Sequence, residues 1–159
     1  MNENFPETEE TEALPKEKKR SPRIIGDRWE RAARKFLRDY GYKILGKNYQ
    51  TREGEIDIIA YDRETGKTVF VEVKSRNDDP EVRSRYGRPA DAVNPRKKAR
   101  FYAAVRSYQR KYPDSLNCRF DIIEVYFSKK PKLFEKPRIV HLKSAFGKVD
   151  YSIKARHRG

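Results

Sequence analysis

The chain has 159 residues but only one cysteine, one methionine, one tryptophan and two histidines. A single thiol, Cys118, closes no intrachain disulfide and builds no thiolate zinc cluster. His141 and His157 stand at ligand spacing from neither a second histidine nor the cysteine, so a zinc site is not expected. Apolar runs are short too. None near the N-terminus has the length of a signal peptide or a membrane span, which predicts a cytoplasmic protein. The eight glycines form no phosphate-cradling loop and no Gly-x-Ser-x-Gly elbow, which disfavours acyl hydrolysis, and neither repeats nor heptads are visible. Anionic residues are in deficit: 24 Asp plus Glu stand against 38 Lys plus Arg, a formal charge of +14.

That excess steers the chain toward polyanions, and nucleic acid is the commonest of these in the cytosol. An anionic membrane is the weaker competitor, because the cations are dispersed and no lipidation motif accompanies them. Mean hydropathy is low at −1.06. Yet 8 Phe and 10 Tyr are more aromatics than a disordered chain carries, and the length suits one domain with one core. Cys118, just before an apolar run, reads as a buried structural thiol.

Residues 1–23 are rich in Glu, Lys, Thr and Pro and have little to bury, so they read as a disordered tail. Residues 24–146 hold the patterned domain, and 147–159 a polar basic tail. Within the domain Trp29, Ala33, Phe36, Leu37 and Tyr40 recur at helical spacing up to Gly41, a suitable C-cap. Glu30 borders that stripe, placed either to reach the sheet or to pair with Arg34 one turn on. Tyr42 to Tyr49, Glu55 to Tyr61 and Thr68 to Lys74 then predict an antiparallel three-strand meander. Ser75 to Pro89 is charged and aperiodic, which predicts a mobile loop. Asn94-Pro95 starts a second helix carrying Phe101, Val105, Tyr108 and Tyr112 on one face. Arg119 to Phe127 and Arg138 to Leu142 complete the strands, separated by the basic Ser128 to Pro137 connection.

Period-two alternation places Glu55 and Asp57 on one strand face, and Glu72 and Lys74 on one face of the next. If these strands form a hairpin through Glu64 to Lys67, Asp57 and Glu72 converge. Paired carboxylates need a proton or a divalent cation to offset their repulsion, and hard oxygen donors suit Mg²⁺ or Mn²⁺. Asp57, Glu72 and the Val73 carbonyl would hold such an ion, with Lys74 one pleat along to orient a water or balance charge. A solvated strand face carrying a weak Glu72–Lys74 surface pair is the plainer alternative. Lys97 opens the apolar stripe of the second helix near its positive end, either to bind a phosphate or to snorkel over apolar surface. Arg76, Arg83, Arg85 and Arg88 are candidates for the nucleic-acid backbone, Tyr86 for stacking on a base, and Glu55 for a supporting contact. His141 reads as a structural hydrogen-bonding group.

Asp57, fourteen intervening residues and Glu72-Val73-Lys74 resemble the PD-(D/E)xK nuclease signature. The flanks resemble the bacterial YraN-like family: Gly26-Asp27-Arg28-Trp29-Glu30-Arg31-Ala32-Ala33, Phe36-Leu37, Gly41-Tyr42, Asn48, Gly54-Glu55-Ile56-Asp57, Phe70 to Lys74, Val93 with Lys97, Arg119-Phe120-Asp121 and His141 to Phe146 match in order. The resemblance covers residues 24–146 and leaves both tails outside it. It implies an α/β restriction-endonuclease-like core, a mixed central β-sheet flanked by α-helices, similar to archaeal Holliday junction resolvases. It also implies that Glu30, Asp57, Glu72 and Lys74 form the metal site, and it favours a phosphate contact for Lys97. The expected activity is metal-dependent cleavage of branched or single-stranded DNA, with a homodimer suited to a two-strand substrate. The alternative is a non-catalytic nucleic-acid-binding module, an adaptor for a helicase or recombination protein.

Overall fold

A computed structural model describes residues 22–79, 95–129 and 133–145. Helix α1, Pro22–Asp39, turns Trp29, Ala33 and Leu37 inward at four-residue spacing. It stops where Gly41 takes φ +85° and its N–H is donated to the Arg38 carbonyl at 3.1 Å. Helical pairing begins at Pro22, so residues 22 and 23 belong to α1 and not to the tail that composition suggested. The remainder of both tails lies outside the described residues, as does most of the expected loop, with Tyr86 and Arg88.

Strands β1 (Tyr42–Gln50), β2 (Glu55–Asp62) and β3 (Lys67–Asn77) form the predicted antiparallel meander. The side chain of Asp62 shapes the second turn, its Oδ1 accepting from Glu64 N at 3.0 Å and Thr65 N at 3.3 Å before Gly66 reverses the chain at φ +70°. β3 runs to Asn77, three residues beyond the expected end. Ser75, Arg76 and Asn77 pair with Val125, Tyr126 and Phe127, and this ladder overrides their polar composition. Arg76 is therefore a half-buried strand residue and not part of a loop.

Helix α2, Pro95–Lys111, and a short 3₁₀ turn, Pro113–Leu116, lead to β4 (Cys118–Phe127) and β5 (Arg138–Leu142). The Asn94 expected to cap α2 lies outside the described residues. β4 lies parallel to β3 and antiparallel to β5, giving a five-stranded mixed sheet in sequence order. The predicted α/β class is observed, and the arrangement is consistent with a restriction-endonuclease-like core. Ile58, Ala60, Val69, Val71, Ile123 and Val125 pack with α1, while Ile59, Phe70 and Ile122 pack with Phe101, Tyr102, Ala104 and Val105 of α2. Cys118 is half-buried, receives a contact from Gln109 Nε2 at 3.4 Å and has its pKa raised by burial, in keeping with a structural thiol.

On the α1 face a buried charge network joins β2, β4 and β5. Arg119 bonds Asp62 Oδ2 at 3.0 Å, Asp121 Oδ1 at 2.9 Å and the Tyr42 hydroxyl at 3.1 Å. Asp121 is also met by His141 Nε2 at 2.8 Å and by Ser144 N at 2.9 Å, so His141 takes the structural role expected of it. Burial opposes ionisation of Asp62, but Arg119 and the turn donors outweigh it and hold the carboxyl at about 2. Burial likewise opposes the Asp121 charge, and His141, Arg119 and Ser144 lower its pKa.

Both carboxylates bind protons less tightly folded than unfolded. Their stabilisation is complete above the ordinary carboxylate range and is lost as pH falls toward 2. Thermal melts of the wild type should therefore drop steeply below about pH 4. Arg119→Ala removes the guanidinium shared by two buried carboxylates and should cost about 3–5 kcal/mol by urea unfolding at pH 7. Gly54 adds a steric test: a Cβ there would overlap the Arg100 carbonyl oxygen of α2. Gly54→Ala should lose about 1–3 kcal/mol in the same assay, because the obstacle is helix backbone.

Candidate metal and nucleic-acid site

The β2–β3 ladder extends from Asp62↔Lys67 to Ile58↔Val71. The next residue on each strand is an acid, Asp57 on β2 and Glu72 on β3. Instead of a further backbone bond, Val73 N donates to Asp57 Oδ2 at 2.7 Å. Glu72 is only 5% exposed, which rules out the solvated strand face for this pair. Its Oε1 accepts from Lys74 Nζ at 3.0 Å and from Lys97 Nζ, on the first turn of α2, at 3.3 Å.

Glu30 approaches from α1. It is half-buried, and its Oε2 has no hydrogen-bond partner among the described residues. Burial raises its pKa, helped by Asp27 and Glu55 and opposed by Arg34 and a hydrogen bond from Asn48. Asp57 is raised well above the usual carboxylate range, first by burial and then by Glu72, Glu30 and Glu55, with the Val73 N–H opposing. Lys74 is lowered by burial and by the adjoining Lys97, against the pull of Glu72. Burial acts the same way on Lys97, but its bonds to Lys74 and Glu72 raise it overall. Four acids and two lysines thus share one electrostatic neighbourhood drawn from α1, β2, β3 and α2.

An open cleft of about 170 Å³ lies beside them, lined by Glu55, Glu72, Lys97, Arg100 and Phe101. Its volume suits a few waters or a hydrated ion. The contact between Gly54 and Arg100 sets one wall, since it seats the start of β2 directly on α2. Sequence reasoning placed Phe101 only on the apolar face of the second helix, and did not single out Arg100 or the closeness of Gly54 to a helix. Nor did it find Glu124, which is 1% exposed and lies beside Lys74 in the parallel register. Only the β3–β4 pairing places Glu124 there, and sequence pattern does not specify that pairing.

Of the predicted site residues, Glu30, Glu55, Asp57, Glu72, Val73, Lys74 and Lys97 gather at the splayed end of β2 and β3. Arg76 continues β3 two residues beyond Lys74. The fit to a divalent cation rests on the donor chemistry: two opposed carboxylates of unfavourable mutual charge, and a third, Glu30, with an unpartnered buried oxygen. Among the described residues no three His, Cys, Asp or Glu side chains already stand close enough to hold a metal. Were a divalent cation to bind, Asp57, Glu72 and backbone oxygen are the groups that could hold it, with water completing the shell as is usual for Mg²⁺.

Residues 29–125, which include all these groups, match an uncharacterised protein family, UPF0102. The chain belongs to this family. A UPF0102 protein of Syntrophus aciditrophicus is 47% identical over 118 residues, 74% of this chain and 84% of that protein. One from Desulforamulus reducens is 37% identical over 125 residues, 77% and 95% of the two chains. A third, from Carboxydothermus hydrogenoformans, is 45% identical over 86 residues, 54% and 67%. The UPF0102 match ends at β4, so Arg138 and His141 of β5 lie beyond it.

The raised Asp57 pKa means that the fold loses stability as pH rises from the carboxylate range toward neutrality. Asp57→Asn retains an acceptor for Val73 N and removes the charge. Its thermal midpoint at pH 7 should exceed that of the wild type by several degrees, and the difference should shrink on acidification.

Proposed function

We propose that this protein is a metal-dependent endonuclease of the PD-(D/E)xK type, acting in the cytoplasm on DNA with branched or single-stranded structure. One observation carries the reading: Asp57 and Glu72 oppose each other where the β2–β3 ladder ends, with Lys74 Nζ 3.0 Å from Glu72. The resemblance of Asp57…Glu72-Val73-Lys74 to the nuclease signature and to Holliday junction resolvases adds to it. Asp57, Glu72 and the Val73 carbonyl would hold Mg²⁺ or Mn²⁺, with Glu30 completing the acidic wall. When bound, such an ion polarises a phosphodiester oxygen and lowers the pKa of a bound water.

The remaining work belongs to side chains. Lys74 offsets charge that develops on the phosphate in the transition state, where a fixed cation is worth most. Lys97 stands at the positive end of α2 with Arg96, Lys98 and Arg100 nearby in sequence, a surface suited to backbone phosphates. Arg76, and Arg88 and Tyr86 of the segment outside the described residues, extend the same role. Glu55 supports the acidic wall. Cutting both strands of a symmetric junction calls for two sites, hence a homodimer.

Glu72 Oε1 is engaged by both Lys74 and Lys97, and no three-ligand cluster is assembled among the described residues. A non-catalytic DNA-binding module, an adaptor for a helicase or recombination protein, would keep this arrangement as a structural ion network.

Labelled single-stranded, duplex, flap and four-way-junction DNA, incubated with Mg²⁺, Mn²⁺ or EDTA, separates the two. The nuclease reading expects metal-dependent cutting that disappears in Asp57→Ala and Glu72→Ala and falls at least about 100-fold in Lys74→Ala, with DNA retention largely kept. Equal salt-dependent binding without cutting in every protein would establish the module instead.

A further inference from the structure

The connection between β4 and β5 carries the two most exposed large apolar side chains among the described residues, Leu133 at 86% and Phe134 at 90%. Phe134 adopts φ +66°, a left-handed conformation that a bulky aromatic rarely takes. Lys129 stands at the start of this connection, and Glu135, Lys136 and Pro137 follow the pair in sequence.

The base of this connection is tied to the strand that bears the acidic site. Asp78 N donates to the Phe127 carbonyl at 2.7 Å, Ser128 Oγ to Asp79 Oδ1 at 3.0 Å, and Arg138 Nη2 lies 3.6 Å from Asp78 Oδ1. The Arg138 guanidinium also covers the Tyr126 ring at 3.9 Å. Lys74 pairs with Glu124 and Asn77 with Phe127, so the connection departs three residues beyond the site, about 10 Å along the strand.

From these observations, and resting on the nucleic-acid reading above, we propose that Leu133 and Phe134 form an apolar wedge that packs against unstacked bases of DNA held at the acidic site. Apolar side chains inserted at base steps are a general device for holding nucleic acid open, and an aromatic face stacks on any base. The flanking lysines decide between occupants. Protein interface cores are depleted in lysine, whereas a polyanion that presents both charge and flat apolar faces matches this composition on both counts.

The test uses the full chain in EDTA with single-stranded and four-way-junction DNA carrying 2-aminopurine, beside the matched duplex and phosphatidylglycerol vesicles. Binding of the wild type should raise 2-aminopurine emission through unstacking. The Leu133→Ala/Phe134→Ala protein should lose that rise and bind unpaired DNA about tenfold or more weakly, with duplex affinity changed less than about twofold. Its unchanged thermal midpoint would show that it folds. Phe134→Trp should keep wild-type affinity, and its added emission should be quenched by DNA. Wild-type binding without unstacking, or a double variant that binds unpaired DNA like the wild type, overturns the wedge and leaves the nucleic-acid reading standing. A double variant defective only on vesicles also overturns it, in favour of a membrane contact. Failure of the wild type to bind any DNA overturns both.

Discussion

β3 has two different neighbours, and the site depends on the difference. On one side it pairs with β4 along ten residues to Asn77, and on the other its ladder with β2 stops at Val71. Past that point β3 is paired on one side only. The freed edge still has a backbone donor to satisfy, and the Asp57 carboxylate takes it at Val73. A side chain has replaced a strand bond, and this substitution fixes an acid where an apolar sheet would otherwise continue. Glu72 and Lys74 follow on the same face because strand geometry leaves no alternative.

The charge that results is expensive in a buried setting, and the surrounding elements offset part of it. Gly54 lets β2 seat on the α2 backbone at Arg100, which brings the basic first turn of α2 over the acids. Lys97 reaches Glu72, while Asp57 and Glu30 remain less well compensated, as the direction of both pKa shifts records. A stability-driven sequence would not retain uncompensated carboxylates beside a cleft; a binding or catalytic function gives a reason to. The contrast with Asp62 and Asp121 is instructive. Those acids, on the opposite face of the same sheet, are fully matched by Arg119 and His141, and their pKa values fall. One cluster holds strands together, and in the other the fold leaves the carboxylates incompletely compensated.

Much of this was legible in the sequence because it is local. Period-two alternation put Asp57 beside Glu55 and Glu72 beside Lys74, and the Glu64 to Lys67 turn predicted the hairpin that opposes them. Helical spacing gave α1 its buried stripe and placed Glu30 at its border. Long-range pairing was not legible. Nothing in Cys118 to Phe127 announces that this strand lies parallel to β3, so the extension of β3 to Asn77 and the placement of Glu124 beside Lys74 were missed. Arg119 and Asp121 share a face by alternation, yet Asp62, fifty-seven residues earlier, enters only through the folded sheet. The approach of Glu30 to the sheet acids likewise needed α1 to be docked; pattern alone left it balanced against a pair with Arg34.

If the splayed end of β2 and β3 binds a divalent cation through Asp57 and Glu72, the ion can be located there. Crystals grown with Mn²⁺ and measured at the manganese edge test it directly. An anomalous peak is expected between the two carboxylates, with the Lys97 ammonium displaced from Glu72. A map without a peak there, with Lys74 and Lys97 still on Glu72, would contradict it.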